Sequence, residues 1–320
     1  MKKHNVIFPS PPIKGGPGSF QIRLTNELIK SEKIKVISVN NKSFNADTIL
    51  VVNGTRRLFW LFINKFKGVQ IIHRLDGINT NYNFKDNTPK GLLLKLIRTF
   101  IVVFIANFLA DKLIFQSNYI KKSFSKYIIF NKNYRVIYNG IEIKNSNELN
   151  DKNIDIVCVE GELNDDFSIQ ILNSISDLKI NYIGSIKKKI FKYIINKNII
   201  YHGFISRKDV LKILLNSKLY LSLEKNPPCP NSVIEALSLG IPVVGFDTGS
   251  LKELVGDAGV IVKLYKTGNH ISKKSINELN EAISYVLKNY HSFSLKAKNK
   301  SKIDFNISKI TKEYSSYIFK

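Results

Sequence analysis

Short runs of β-branched and aliphatic residues alternate along this chain with longer stretches whose apolar residues recur every three or four positions. The runs KVISV (35–39), TILVV (48–52), VQIIH (69–73), KLIFQ (112–116) and YRVIY (134–138) predict buried strands. Helical periodicity falls between them, over 19–31, 56–66, 90–109 and 117–126. A polar stretch, KNSNELNDKN (144–153), predicts a linker, and the alternation then restarts. IDIVCVEG (154–161), KINYIGS (179–185), KNIIYHG (197–203), KLYLSLE (218–224) and GIPVVGF (240–246) predict a second set of strands. Helices are predicted over 165–176, 206–216 and 232–239, and over 275–290 and 305–319 at the end of the chain. Strand–helix alternation of this kind argues for parallel sheets covered on both faces. Two sequential doubly wound α/β domains are the expectation, with a ligand cleft where strand C-termini face each other. At 320 residues, each can bury its own core.

Charge changes the picture more than composition does. Hydrophobic residues make up 44% and charged residues 23%, ordinary for a globular protein, but 49 basic against 25 acidic residues leave +24. Such an excess favours anionic membrane surfaces, nucleic acid or phosphorylated ligands. The two cysteines, Cys158 and Cys229, offer neither a metal-ligand spacing nor a disulfide framework, which suits a reducing cytoplasm. MKKHNVIF runs into a strand-like segment rather than a secretory signal. TFIVVFIANFLA (99–110) is read as too short to span a bilayer, which needs roughly 20 apolar residues.

Several segments carry candidate chemistry. KGGPGSF (14–20) places Gly15, Gly16 and Gly18 at the opening of the first helix, where backbone N–H groups can approach a ligand; a tight turn is the plainer reading. HRLDG (73–77) brings a His, an Arg and an Asp to a strand end, suited to proton transfer by His73 or Asp76. The alternative is that Arg74 and Asp76 pair with each other. RRLFWLFINKFK (56–67) and LLLKLIRTFIVVF (92–104) interleave bases with large apolar groups, fitting either sheet-covering helices or helices in a membrane interface. The richest stretch is NPPCPNSVIEALSLGIPVVGF (226–246), a proline-stiffened loop followed at once by a helix. Ser232 and Glu235 fit a capping box. The same helix start can bind an anion through its dipole and free N–H groups, with Glu235 accepting from ligand hydroxyls.

At these residues the chain resembles family 4 of the retaining glycosyltransferases. GGPGSF, HRLDG, FQSNYIKKSF (115–124) and VIYNGIE (136–142) are similar to segments of that family's first domain. YHGFISRKDVLKILLNSKLYLSL (201–223) and PNSVIEALSLGIPVVGFDTGSLKELVGDAGVIV (230–262) are similar to the core of its donor domain. The resemblance implies a GT-B fold, two Rossmann-like domains facing a central cleft. Its divisions are an acceptor-side domain over 1–146, a donor domain over 147–304, and a C-terminal helix, 305–320, packing back on the first domain. It further implies that Glu235 contacts the donor ribose and that Phe204 and Ile205 flank the nucleobase. Asn231, Ser232, Asp247, Thr248, Gly249, Ser250 and Glu253 would lie beside the donor sugar and phosphates, with Gly15, Gly16 and His73 approaching from the first domain. Two departures stand out. Pro227 occupies the position of an acidic residue in the family pattern, and VEGELNDD (159–166) is acidic where the family carries a basic pair. Lys187, Lys188, Lys189 and Lys225 are candidate replacement cations for a leaving diphosphate.

The expected function is transfer of a sugar, with retention, from a nucleotide-sugar donor to a saccharide or lipid-linked saccharide in cell-surface polysaccharide biosynthesis. No cofactor is expected and, without an Asp-x-Asp motif in position, no metal. The expected location is cytoplasmic, with a peripheral contact at the inner membrane face left open. A non-catalytic nucleotide-sugar or saccharide-binding relative is the alternative, and a sugar-nucleotide epimerase on the same fold is a further one. Charge alone does not specify a nucleic-acid partner.

Overall fold

A computed structural model describes residues 3–12, 15–37, 45–77, 89–129, 132–143, 152–163, 165–268 and 270–319. Most of the predicted linker, 144–153, lies outside the described residues, as do Lys14 and the side chain of Lys189. The chain divides into two compact units, Met1–Glu142 with Phe305–Lys320, and Ile143–Asp304.

The first unit is built from β1 (His4–Ile7), α1 (Gly16–Ile29), β2 (Ile34–Ile37), β3 (Thr48–Val52), α2 (Leu58–Phe66), β4 (Gln70–Leu75) and α3 (Pro89–Phe104). A π-helical turn, Ile105–Leu109, extends α3. β5 (Lys112–Phe115), α4 (Asn118–Phe124) and β6 (Asn133–Val136) follow. All six strands pair in parallel, in the order β2-β1-β3-β4-β5-β6. The order reverses between β1 and β3, so the connections cover opposite faces, as right-handed crossovers require. On one face Phe20, Leu24 and Leu28 of α1 meet Ile310, Tyr314 and Tyr317 near the C-terminus. On the other, Leu61, Val102, Ile105, Leu109, Ile120 and Phe124 pack over the strands. β3 coincides with the predicted TILVV because a strand buried on both faces needs an unbroken apolar run.

The second unit repeats the plan. Its elements are β7 (Ile154–Leu163), α5 (Asp166–Asn173), β8 (Ile180–Ile186), α6 (Lys188–Phe191), β9 (Ile199–Gly203), α7 (Arg207–Leu215) and β10 (Ser217–Leu221). Then come α8 (Asn231–Ser238), β11 (Val243–Phe246), α9 (Leu251–Val255), β12 (Gly259–Val262), the small hairpin β13 (Lys266–Thr267) and β14 (His270–Ile271), α10 (Lys273–Lys288) and α11 (Tyr290–Asp304). The six-stranded sheet runs β12-β11-β10-β7-β8-β9, all parallel, and its order reverses between β7 and β10. Phe167, Ile171 and Leu172 of α5 share a core with Leu279, Ile283 and Val286 of α10. The last helix, α12 (Ile307–Ile318), belongs to the first unit, where Phe305 and Ile307 exchange backbone hydrogen bonds with Ile141 at 2.7 and 2.9 Å.

Two sequence expectations change. Pro89–Leu109 is one helical stretch of 21 residues with a mean hydropathy of 2.1 over its apolar window. By length and composition it is long enough to cross a bilayer, because Leu92–Ile97 extends the apolar run beyond the twelve residues first considered. The predicted strand 240–246 begins only at Val243, since Gly240 (φ 70°) and Pro242 form the turn that ends α8.

Gly140 tests how α12 is held. A methyl group there would lie 2.7 Å from Ile307 Cδ1 and 3.0 Å from its Cα. Gly140→Ala is expected to lower stability by about 1–3 kcal/mol and to speed proteolysis within 305–319; an unchanged melting curve contradicts that packing.

Candidate functional site

In the second unit the chain leaves β10 at the point where strand order reverses, the usual ligand position in open α/β sheets. Asn226 turns it with φ 57°, and Pro227, Pro228 and Pro230 then lead into α8. The loop is held from below. The Ser250 N–H donates to the Pro227 carbonyl at 2.8 Å, and the Asn226 N–H donates to Thr248 Oγ1 at 3.3 Å. Gly249 (φ 62°) lies directly against Pro227, and any Cβ there would collide with the Pro227 backbone. Thr248, Gly249 and Ser250 are thereby joined to the loop that leads into Asn231 and Ser232. Ser250 is fully buried, and its hydroxyl has no hydrogen-bond partner among the described residues. Glu253 lies in the first turn of α9, one turn beyond.

The capping box is not formed. The N-cap of α8 is Pro230, which makes no side-chain cap hydrogen bond. Ser232 and Glu235 are therefore two positions too deep in the helix for reciprocal bonding. Ser232 instead bonds the phenol of Tyr220, which also donates to the Val159 carbonyl at 2.9 Å. The buried Glu235 carboxylate accepts from Arg207 at 2.6 Å. Arg207 opens α7, two residues past Ile205, so the loop carrying Phe204 and Ile205 adjoins Glu235 through this ion pair. Phe204 is 75% exposed, a flat apolar surface at a strand end. The sequence reading did not single out Arg207; an S-R-K-D helix start gives no hint of a partner 28 residues away.

A second pairing was also missed. The β7–β8 ladder shifts register between Val159 and Glu162, an irregularity that re-aims the strand end. Glu160 there accepts from the Leu223 N–H at 3.2 Å and lies beside Glu224. Burial, and then repulsion from Glu224, pushes the Glu160 carboxyl well above its ordinary range. Burial pushes Glu224 up to about 7. The acidic segment thus supplies one member of a carboxyl pair at the strand-order reversal, and Glu224, after β10, supplies the other. Among the candidate replacement cations, Lys187 and Lys188 sit at the start of α6, and Lys225 lies beside Lys266. Among the described residues no group of three or more His, Cys, Asp or Glu could hold a metal ion.

In the first unit, Gly15 (φ 104°) adopts a backbone conformation open only to glycine and precedes α1, which Gly16 begins. His73 and Asp76 lie in a buried polar network at the strand ends. Arg74, fully buried, pairs with Asp76, donates to Gln116 Oε1 at 3.2 Å and to Asn139 Oδ1, and lies 3.9 Å from the Phe20 ring centroid. GGPGSF, HRLDG, FQSN and VIYNG therefore meet at one guanidinium. His73 Nε2 donates to the Asn53 carbonyl, and burial lowers the imidazole pKa to about 4, so the ring is neutral at pH 7.

Residues 169–303 match the family model described as glycosyl transferases group 1. That part of the second unit is similar to a glycosyltransferase domain of this group. The sucrose-phosphate synthase of Thermosynechococcus elongatus is similar at TM-score 0.72 and 13% identity, over 99% of this chain and 98% of its own. Anabaena HepE, solved with UDP and glucose, is similar at TM-score 0.67 and 16% identity, over 99% of both chains. The pneumococcal O-GlcNAc transferase GtfA, solved with UDP and GlcNAc, gives TM-score 0.60 and 11% identity over 85% of this chain. The chain spans 56% of GtfA's length. No curated protein matches it. These likenesses establish the GT-B fold of the glycosyltransferase, and the matched domain covers α8, its proline loop and α9.

Two outcomes follow for the second unit. Gly249→Ala is expected to cost about 1–3 kcal/mol of stability, read by denaturant unfolding; no change would mean that the loops do not touch. A carboxyl raised to about 7 when folded favours the folded state below its unfolded pKa, and that advantage is lost as pH rises through 7. Glu224→Gln should therefore gain about 1–3 kcal/mol relative to wild type at pH 8 and little at pH 4; an equal difference at both pH values contradicts the pairing.

Proposed function

We propose that the protein transfers a sugar, with retention, from a nucleotide-sugar donor to a saccharide or lipid-linked saccharide during cell-surface polysaccharide assembly. The observation carrying this reading is the lock between Pro227 and Gly249–Ser250, which holds the start of α8 at the sheet's strand-order reversal. Helix starts bind phosphate through N–H groups that have no partner within the helix. The donor diphosphate would lie against Asn231, Ser232 and the 248–250 turn, with the Ser250 hydroxyl as a further donor. Glu235, steadied by Arg207, would accept from ribose hydroxyls, and the base would stack on Phe204 beside Ile205. Glu253 would face the sugar.

In the reaction the anomeric carbon–phosphate oxygen bond breaks and the acceptor hydroxyl oxygen bonds to the same face of that carbon. The acceptor proton goes to the departing phosphate oxygen, so no strong side-chain base is needed. Neutral His73 and Asp76, held by Arg74, would position the acceptor hydroxyl. No metal is invoked, since α8 and α9 would stabilise the leaving diphosphate. The reading places the enzyme in the cytoplasm.

A second reading, a non-catalytic binder of the same ligands, is favoured by one observation. A carboxyl pair, Glu160 and Glu224, stands where a cationic clamp would help a diphosphate leave.

Incubation of the purified protein with UDP-, GDP-, ADP- and dTDP-sugars, with nucleotide release as the readout, separates the two. Transfer predicts release with at least one donor in the presence of a saccharide acceptor; binding without release by any of them supports the binder. Glu235→Gln should weaken donor affinity about 10–100-fold with little loss of stability, because the exposed Arg207 partner contributes little. Unchanged affinity would remove Glu235 from the site.

A further inference from the structure

We propose that α2 and the helical stretch Pro89–Leu109 together form an in-plane docking surface for an anionic lipid bilayer. Both elements cover the same face of the first unit's sheet, where Leu61 shares a core with Val102, Ile105 and Leu109. That core uses only one stripe of each helix. α2 buries Leu61 and Asn64 and turns Phe59 (77% exposed) and Phe66 (76%) outward. The longer helix buries 28% of its apolar window and turns out Leu93 (58%) and Phe100 (65%). Large exposed aromatic and leucine side chains gathered on adjoining helices mark an interaction surface rather than scattered apolar residues.

Charge selects the occupant. No Asp or Glu occurs within 56–67 or 89–109, whereas Arg56, Arg57, Lys67, Lys90 and Arg98 are all exposed. Among the described residues the border is cationic apart from Asp111, which pairs with Lys65, and such an apolar face matches a hydrocarbon boundary beneath anionic headgroups. The burial pattern also sets the orientation. Although Pro89–Leu109 has the length to span, Val102, Ile105, Ala106 and Leu109 are committed to the core of the first unit. Arg98 would lie near the middle of any crossing, where a charge is costly. The helix therefore lies along the interface, beside α2. This surface stands independently of the sugar-transfer reading, and its test measures partition rather than activity.

The chain's one tryptophan, Trp60, sits on α2 and provides the probe. The intact protein is mixed with vesicles of phosphatidylcholine alone, or with about a third phosphatidylglycerol, and partition is measured by flotation at low and high salt. The mixed vesicles should bind the protein, salt and Arg56→Ser/Arg57→Ser/Lys67→Ser should weaken binding, and brominated lipids should quench Trp60. Phe59→Ser/Phe66→Ser should lower the partition coefficient at least about tenfold. Both side chains are exposed, so an unchanged melting curve confirms that the fold is intact. Equal binding to neutral vesicles, no binding to the mixed ones, or binding insensitive to the Phe pair overturns the proposal. Phe-dependent self-association without vesicle binding also overturns it and assigns the face to a second copy.

Discussion

The contact of Gly249 with Pro227 is the constraint on which the second unit's site depends. Two loops that follow neighbouring strands, β10 and β11, meet there. Proline fixes φ along one of them, and a positive-φ glycine lets the other approach without a Cβ. The hydrogen bond from Ser250 to Pro227 then sets their spacing. A start of α8 held this way is already ordered, so a ligand binding there as proposed would cost less conformational entropy.

The first unit solves a similar problem with charge. Its strand ends converge on Arg74, which joins α1, the ends of β4 and β5 and the segment after β6. A fully buried guanidinium depends on these partners, since an unpaired charge in the interior is far more costly than a paired one. His73, kept neutral by burial, is fixed beside this network by the Asn53 carbonyl. The GT-B frame thus positions one site by backbone packing and the other by a polar hub.

Much of the frame was legible in the sequence because doubly buried strands demand dense aliphatic runs, as TILVV shows. The short elements α6 and the β13–β14 hairpin were not, because so few residues establish no periodicity. α11 was hidden for another reason, its sequence YHSFSLKAKNKSKID being polar on nearly every side. The capping box looked sound locally, but it was displaced because Pro230 became the N-cap. Glu160–Glu224 and Arg207–Glu235 were beyond sequence reasoning, since parallel crossovers join residues with no local relationship. The oddity of an acidic segment at 159–166 was visible; that it sets Glu160 beside Glu224, a residue after β10, required the sheet order.

Hydrogen–deuterium exchange on the intact chain, with UDP, GDP, ADP and dTDP added in turn, tests the central claim most directly. The account predicts that whichever nucleotide binds will slow exchange at amides within 231–234 and 248–253, around the locked loops. Binding that protects other segments and leaves both of these unchanged would contradict it.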